Sequence, residues 1–402
     1  MARTAIRMGG GARIAEHLSV GVLARAIPLA RIQEVLRQHN LQSRRIRDLP
    51  AEVVVYYVIA LGLFMAVSTR EVLRCLVEGL GWLKGHPAVR VASKSAISQA
   101  RSRLGATPLR ELWQRLAQPW AQAGSPGAFF AGLRLVVLDG STLDVPDTAA
   151  NVKRYGRQKS SRGRAAFPQL RFAGLAEAGT HTLFAVAMGP YRRSEVSLAK
   201  GLLARLEPGM LCLADRLYTV FALWKRAQQT GAQLLWRARK NMVLPVEVVL
   251  ADGSFLSTIY PSTKARRQRR RGLRVRVVEY QLDGGGAEAG QTVYRLLTTL
   301  LDPAQAPAEA LARLYAQRWE VEGLFDELKT HLRGGQVVLR SKTPELVEQE
   351  FYGLLLAHWA VRGLMQEAAQ RDGLDPDQLS FTHAVRVVRR KLAAGPAFSP
   401  SS

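Results

Sequence analysis

Apolar residues recur at helical spacing through the first part of the 402-residue chain. The spacing predicts helices in Leu18–Leu36 and Leu49–Leu83, where Pro50 suits the first position of a helix. The longest apolar run, Val53–Val67, has 15 residues. Because a membrane span needs about 20 residues, this run predicts a buried helix. Residues 1–125 are therefore expected to form an all-helical domain.

The pattern changes after Gln122–Gly127, a Gly- and Pro-containing stretch that predicts a linker. Short apolar runs typical of buried strands then alternate with amphipathic helical segments. The predicted order is strands Leu133–Leu138, Leu170–Ala173 and Thr182–Met188, helix Glu195–Leu206, strand Leu211–Ala214, helix Thr219–Gln229 and strand Gln233–Arg237. This order indicates a mixed α/β sheet covered by helices.

Residues 241–301 interrupt that alternation and read as a β-rich insertion. Strands are predicted at Val243–Val249, Leu273–Leu282 and Thr292–Thr299, with turn signals at Asp252-Gly253 and Asp283–Gly286. From Pro307 the chain is helical again as far as about Lys391. The tail, residues 395–402, is expected to be disordered.

The charge of the chain points to a polyanionic partner. Its 57 Lys and Arg against 32 Asp and Glu give a net charge of +25, while 48% apolar residues exclude a disordered polycation. Two cysteines, Cys75 and Cys212, provide neither a disulfide framework nor a cysteine-based zinc site. The first residues lack the apolar core of a secretory signal, so a cytoplasmic, nucleoid-associated protein is expected.

Three basic segments are candidates for contact with a polyanion. The helix predicted at Ser93–Gly105 has a polar face of Lys94, Ser98, Gln99, Arg101 and Arg103; a DNA-recognition helix and an ordinary solvated helix fit it equally well. Lys153–Arg171 holds seven basic residues and no acid, which favours a mobile DNA-contacting loop over a solvated charge run. Lys264–Arg276 holds eight Lys and Arg in thirteen residues. The individual candidates for DNA contact are Lys94, Arg101, Lys153, Arg154, Arg157, Lys159, Arg162 and Arg164.

Two buried-strand patterns end in a carboxylate, LVVLDGST at Asp139 and LCLADRLY at Asp215. An acid that ends a buried strand lies at the edge of a sheet, where it can cap a turn or face a metal ion. Two such acids on neighbouring strands favour the second interpretation.

A third group of chemical residues lies in the helix predicted at Leu311–Leu332. Tyr315, Arg318, Glu322 and Lys329 fall within roughly a 60° arc at helical spacing, beside a separate apolar stripe. Taken alone, Arg318 and Glu322 are an ordinary i, i+4 ion pair. Together with Asp139 and Asp215, however, they supply what phosphate chemistry needs: carboxylates for two Mg²⁺ ions, and cations with a phenol for phosphate oxygens.

These residues resemble the DDE transposases of the insertion sequence 4 family. The family signature is Tyr, two residues, Arg, three residues, Glu, six residues, Lys, and the four residues match that spacing without a gap. DGST at Asp139, LADR at Asp215, FPQLRF at Phe167–Phe172 and EPGMLCLADR at Glu207–Arg216 are similar as well. The resemblance implies a ribonuclease-H-like α/β core, residues 130–240 and 302–345, split by the β-rich insertion of residues 241–301. It also implies a DNA-binding N-terminal domain, residues 1–125, and a helical C-terminal region, residues 346–394.

The resemblance also implies roles. Asp139, Asp215 and Glu322 would bind two Mg²⁺ ions, or Mn²⁺, and Tyr315, Arg318 and Lys329 would contact DNA phosphates. The activity would be cut-and-paste transposition of an element whose terminal inverted repeats are bound by a dimer. Leu217 departs from the family, which often has glycine at this position, where it would ease a tight turn beside Asp215.

Two alternatives and one mechanistic question stay open. A catalytically silent DNA-binding repressor and a stand-alone nuclease of the same fold are the rival functions. A hairpin intermediate would use a tryptophan to receive a flipped base, and residues 241–301 contain none. Trp236 and Trp319 lie just outside, where core packing is favoured for both.

Overall fold

The structure, a computed structural model, describes residues 22–43, 49–81, 92–160, 163–281, 293–316, 319–328, 332 and 338–394. The fold is mixed α/β, with a large mixed sheet and helices towards both ends of the chain. The chain divides into two compact units. The first comprises residues 1–118, 143–170 and 324–402, and the second residues 119–142 and 171–323.

The helices and strands are numbered in chain order. The helices are α1 Val22–Ala26, α2 Leu29–Gln38, α3 Ala51–Leu63, α4 Thr69–Gly81, α5 Lys94–Leu104, α6 Thr107–Leu116, α7 Ala149–Tyr155, α8 Glu195–Leu202, α9 Phe221–Gln228, α10 Thr263–Arg267, α11 Ala308–Ala316, α12 Trp319–Asp326, α13 Pro344–Asp372 and α14 Phe381–Ala394. The strands are β1 Phe129–Phe130, β2 Leu133–Asp144, β3 Lys159–Ser160, β4 Gly163–Arg164, β5 Gln169–Glu177, β6 Thr182–Pro190, β7 Met210–Ala214, β8 Gln233–Arg237, β9 Val248–Val249, β10 Phe255–Ile259, β11 Leu273–Tyr280 and β12 Tyr294–Thr298.

The first unit is built around α3, whose residues 53–63 are all buried. This confirms the buried helix predicted from the apolar run. α3 packs against α13, and two glycines allow the close approach of the two helices: a Cβ on Gly353 would lie 2.6 Å from the carbonyl oxygen of Val58, and one on Gly62 would lie 3.1 Å from the Cβ of Ala357. No helix within the described residues is both long and apolar enough to cross a membrane.

Proline divides the predicted N-terminal helices. The stretch Leu18–Leu36 contains two helices, α1 and α2, because Pro28 lies between them and its ring cannot donate a helical hydrogen bond. The stretch Leu49–Leu83 contains α3, which begins after Pro50 as predicted, and α4, which follows a turn at residues 64–68.

The central sheet has the strand order β6-β5-β2-β7-β8-β12-β11-β10-β9, with β1 paired to β2. β2, β7 and β8 run parallel to one another, whereas β8, β12, β11, β10 and β9 pair antiparallel. The β-rich content predicted for residues 241–301 is confirmed. Its strands do not form a separate sheet but extend the central one, because β12 pairs with β8.

Some boundaries in the β-rich segment differ from the prediction. Of Val243–Val249 only Val248 and Val249 form a strand, since Pro245 has no amide hydrogen for a sheet ladder. β10 was not predicted, and the basic run contains the short helix α10. Arg276, the last residue of that run, is fully buried in β11, where it pairs with Asp252 and donates to the carbonyl oxygen of Ala306 at 2.7 Å.

Candidate active site

Asp139 and Asp215 lie side by side where the parallel pairing of β2 and β7 ends. In that register Leu138 pairs with Ala214, and each aspartate is the next residue of the chain. β7 ends at Ala214, whereas β2 continues past Asp139 to Asp144, beyond the end predicted at Leu138. Neighbouring strands lie about 4.8 Å apart, so the two side chains leave the sheet at adjacent positions. Both aspartates are half-buried. Strand pairing thus brings together two carboxylates that are 76 positions apart in the sequence.

Each carboxylate is oriented by the backbone that follows it. The amide of Gly140 donates to Oδ1 of Asp139 at 2.8 Å, and the amide of Arg216 donates to Oδ1 of Asp215. The turn after Asp215 is further held by Arg239, whose guanidinium donates to the carbonyl oxygens of Arg216 and Leu217 at 3.2 and 3.0 Å. Leu217 is not among the described residues with a positive φ angle, so this turn does not require the glycine that the family often has.

The predicted helix Leu311–Leu332 is represented by two described helices, α11 and α12, and α11 reaches this end of the sheet through Tyr315. Tyr315, in α11, is only 4% exposed, and its hydroxyl donates to the carbonyl oxygen of Ala214 at 3.2 Å. The structure thus shows a main-chain partner for this hydroxyl, and the contact of Tyr315 with a DNA phosphate stays a prediction. The hydroxyl is directed to the last residue of β7, because burial against the sheet leaves it a main-chain acceptor instead of solvent.

The rest of the signature is only partly described. Glu322 lies in α12, one residue before Gly323, where an added Cβ would lie 4.0 Å from the ring of His181; the side chain of Glu322 is outside the described part. Arg318 and Lys329 lie outside the described residues altogether. Among the described residues no group of three His, Cys, Asp or Glu side chains is placed to hold a metal ion. The described candidates for metal ligands are thus the two aspartates.

Two residues that the sequence did not single out border the aspartate pair. Tyr218 is fully buried, and its hydroxyl donates to Oε2 of Glu195 at 3.3 Å. Burial raises the pKa of the Tyr218 phenol well above its ordinary value of 10.0, and the negative charges of Glu195, Asp139 and Asp215 raise it further. Tyr218 is therefore a neutral hydrogen-bond donor beside the carboxylates. One signal in the sequence could have drawn attention to Glu195. It is the first residue of α8, directly after the N-cap Ser194.

The candidate DNA-contacting helix α5 forms as predicted, but one of its residues faces inward. Ser93 caps the helix by accepting from the amide of Ala96, and Lys94 is exposed. Arg101, placed on the exposed face by the sequence, is only 6% exposed. The prediction that it faces solvent is wrong, because its guanidinium donates to Gln349 and Ser341, each at 2.8 Å.

The basic segment after Asp139 contains more regular structure than the predicted mobile loop. α7 presents Lys153 and Arg154 to solvent, and β3 and β4 form a short antiparallel pair. Arg157 is half-buried and bound within the chain: it pairs with Asp147 and donates to the carbonyl oxygen of Ala165 at 3.1 Å. The side chains of Lys159 and Arg164, and the whole of Arg162, lie outside the described residues.

Of the two tryptophans that flank the β-rich segment, Trp236 belongs to the core. It is fully buried and packs edge-to-face on Trp224, with ring centroids 5.2 Å apart. This confirms core packing for Trp236. The side chain of Trp319 is outside the described part of the chain.

Comparison with known proteins gives consistent matches over most of the chain. Residues 17–114 match the family model for the insertion element 4 transposase N-terminal region, and residues 131–360, more than half of the chain, match that for the transposase DDE domain. The chain is 32% identical over 372 residues to transposase InsG for insertion sequence element IS4 of Escherichia coli K12, covering 92% of this chain and 82% of the relative.

Two further similarities are more distant. The putative transposase InsZ of Escherichia coli K12 is 28% identical over 220 residues, which cover 54% of this chain and 71% of that protein. A structure of the piggyBac transposase synaptic complex with hairpin DNA superposes with a TM-score of 0.48 and 14% identity, covering 98% of this chain and 83% of that one. On the two family models and the identity to the IS4 transposase, the chain belongs to the insertion sequence 4 family of DDE transposases and is a DNA-transposing enzyme.

Proposed function

We propose that this transposase binds the terminal inverted repeats of its own insertion sequence, cleaves the DNA there and joins the ends to a target by cut-and-paste transposition. The observation that carries the proposal is the adjacent placement of Asp139 and Asp215 where the parallel pairing of β2 and β7 ends, with Tyr315 of α11 bonded to the same end of β7. The central strands β6, β5, β2, β7 and β8, of which β2 and β7 position the two aspartates, support a ribonuclease-H-like core.

The DDE family generally uses divalent metal ions, and the donors present suit Mg²⁺. Carboxylate oxygens are the ligands that this hard cation takes, and two of them project from adjacent strands. We propose that Asp139, Asp215 and Glu322 hold two Mg²⁺ ions, or Mn²⁺ in their place. When bound, such ions activate the attacking water or hydroxyl and stabilise charge on the phosphate oxygens.

The chain's own groups prepare this site. Backbone amides fix one oxygen of each aspartate and so orient both carboxylates. Tyr218 stays protonated beside the two carboxylates and donates its hydrogen bond to Glu195. Arg318 and Lys329 are proposed to contact phosphates near the transposon end, and Tyr315 is proposed to anchor α11 to the end of β7.

The proposal extends to domains and assembly. Residues 1–125 would bind the inverted repeats, residues 130–240 and 302–345 would form the catalytic core around the β-rich residues 241–301, and residues 346–394 the C-terminal helical region. Double-stranded DNA, as transposon end and target, is the proposed partner. Two ends must be cut together, so a homodimer is proposed for the synaptic complex.

A strand-cleavage and strand-transfer assay tests the proposal. The substrate carries the DNA that flanks the coding region on both sides, and wild type is compared with Glu322→Gln in Mg²⁺. Wild type should cut and join the ends, and Glu322→Gln should bind them without cutting. Glu309→Gln is the matched control, because Glu309 lies on α11 with its side chain 75% exposed. A wild-type protein that binds the ends but never cuts them would support the silent repressor, and cutting without joining would support the nuclease.

A further inference from the structure

A cluster of basic side chains on α14 surrounds a cavity that the proposed mechanism does not use. The helix buries Val385, Val388 and Leu392 on one side. His383, Arg386, Arg389 and Arg390 of the same helix line a cavity of about 470 Å³. The described lining contains no acidic residue. Basic residues near a helix C-terminus commonly interact only with the helix dipole and solvent, so the cavity needs evidence beyond its charge.

That evidence is the way Arg389 is held. Its guanidinium donates to the carbonyl oxygens of Leu63 and Leu332, the latter at 3.2 Å. Burial lowers the pKa of Arg389, and the nearby charge of Arg386 lowers it further. The charges of the two neighbouring guanidiniums repel each other, and an anion between them would reduce this repulsion. Leu332 is also only three positions after Lys329, so the cluster contacts the segment that continues the family signature.

We infer that this cavity binds a backbone phosphate of DNA. The inference rests on the proposed function, since it takes its ligand from the same DNA. Arg386 and Arg390 are exposed and supply the charge, and Arg389 provides a guanidinium that is already oriented. Arginine suits this role because its planar group presents paired donors to phosphate oxygens.

The test is the salt dependence of DNA binding by the full-length protein, without metal, on a duplex from the DNA that flanks its coding region. Arg386→Ala with Arg390→Ala should reduce the slope of log affinity against log salt by about 1, as expected for the loss of one phosphate contact. Lysine at both positions should restore most of the slope. Lys225→Ala with Arg226→Ala removes two exposed charges from α9 and should leave the slope unchanged.

An unchanged slope in the Arg386/Arg390 variant would overturn the inference. Inorganic phosphate is the second probe: if it competes with DNA for wild type no better than for the variant, the cavity is not a phosphate site. Cleavage of the ends by wild type is scored separately. The salt slope and the phosphate competition therefore test the phosphate site, and the cleavage assay tests the proposed transposition. Either proposal can be refuted without the other.

A second inference concerns Glu195, and it has an independent origin in the packing around Asp139. The side chain of Glu195 covers Gly140 so closely that a Cβ on that glycine would lie 2.6 Å from Oε2 of Glu195. The same Oε2 accepts from Tyr218, three residues after Asp215. Arg171 forms an ion pair with the other carboxylate oxygen of Glu195, with its Nε 3.8 Å from Oε1. One side chain thus contacts both the residue that follows Asp139 in β2 and the turn that follows Asp215.

The geometry points to Glu195 as a positioning residue for Asp139 and Asp215. Glu195 acts through Gly140 and Tyr218. The inference rests on the proposed metal site. Supporting residues of this kind typically change metal affinity 10- to 100-fold when removed, about the effect expected here. Because the role depends on contacts, glutamine, which keeps the shape and an acceptor for Tyr218, should retain most of it.

Binding of Mn²⁺, followed by electron paramagnetic resonance without DNA, is the test. Glu195→Ala should weaken Mn²⁺ binding about tenfold or more, Glu195→Gln should stay within a few-fold of wild type, and DNA binding without metal should not change. Gly140→Ala displaces Glu195 and should resemble Glu195→Ala. Unchanged Mn²⁺ affinity in folded Glu195→Ala, or equal losses for alanine and glutamine, would overturn the positioning role. If wild type binds no Mn²⁺, the metal site itself fails.

Discussion

Removing the hydroxyl of Tyr315 distinguishes between two roles for this residue. The hydroxyl either anchors α11 to β7 or contacts a DNA phosphate. Tyr315→Phe removes one hydrogen bond of 3.2 Å to the carbonyl oxygen of Ala214 and keeps the ring in a site that is 4% exposed. A buried neutral hydrogen bond contributes about 0.5–1.5 kcal/mol net, and a carbonyl left without a partner costs up to about 3 kcal/mol. We therefore expect the variant to lose about 1–2 kcal/mol of unfolding free energy while its affinity for DNA, measured without metal, stays the same.

Urea unfolding followed by tryptophan fluorescence measures the loss, because Trp224 and Trp236 lie buried in the same unit. Tyr294→Phe is the matched control: Tyr294 is half-buried on β12, with its ring 5.5 Å from that of Tyr280, and the change should stay within about 0.5 kcal/mol. Equal stability of Tyr315→Phe and wild type, together with weaker DNA binding, would refute the anchoring role and return the hydroxyl to a phosphate contact.

Other variants test the packing and the buried charges. Arg276→Met leaves the carboxylate of Asp252 without its buried partner and should cost about 3–5 kcal/mol, seen as a lower thermal midpoint; a loss below 1 kcal/mol would show that the pair is not buried in solution. Gly353→Ala places a Cβ 2.6 Å from the carbonyl oxygen of Val58 and should cost about 1–3 kcal/mol, whereas Gly201→Ala, with open space around its Cβ, should stabilise α8 by up to about 1 kcal/mol. Burial raises the pKa of Tyr57 and of Tyr352 to about 12, so each stays protonated in the folded state while the unfolded chain ionises near its ordinary value of 10.0. The contribution of these two groups to the unfolding free energy should therefore be fully present below pH 10 and decrease between about pH 10 and 12. In a titration followed by tyrosinate absorbance, the double phenylalanine variant should show two fewer groups that ionise above pH 10.

The pattern of apolar and polar residues along the chain determined most helices and strands, and it identified the two aspartates of the candidate site. The buried strands that lead to Asp139 and Asp215 were readable because an apolar run followed by an acid needs no knowledge of distant partners, although β2 continues to Asp144. The buried helix α3 followed from its continuous apolar run in the same way. The spacing from Tyr315 to Lys329 identified the family, although the placement of Arg318, Lys329 and the Glu322 side chain is outside the described residues.

Only the tertiary structure decided which polar groups meet. Arg101 has the spacing of an exposed residue, yet it is buried because Gln349 and Ser341, about 240 positions away, supply its acceptors. Three other contacts likewise depend on partners far along the chain. They are the hydrogen bond from Tyr315 to Ala214, the contacts of Glu195 with Tyr218 and Gly140, and the pairing of β12 with β8. Periodicity reports which side of an element is apolar, since burial of that side is a local property. It does not report which distant donor or acceptor faces a given side chain, because that pairing exists only after the chain has folded.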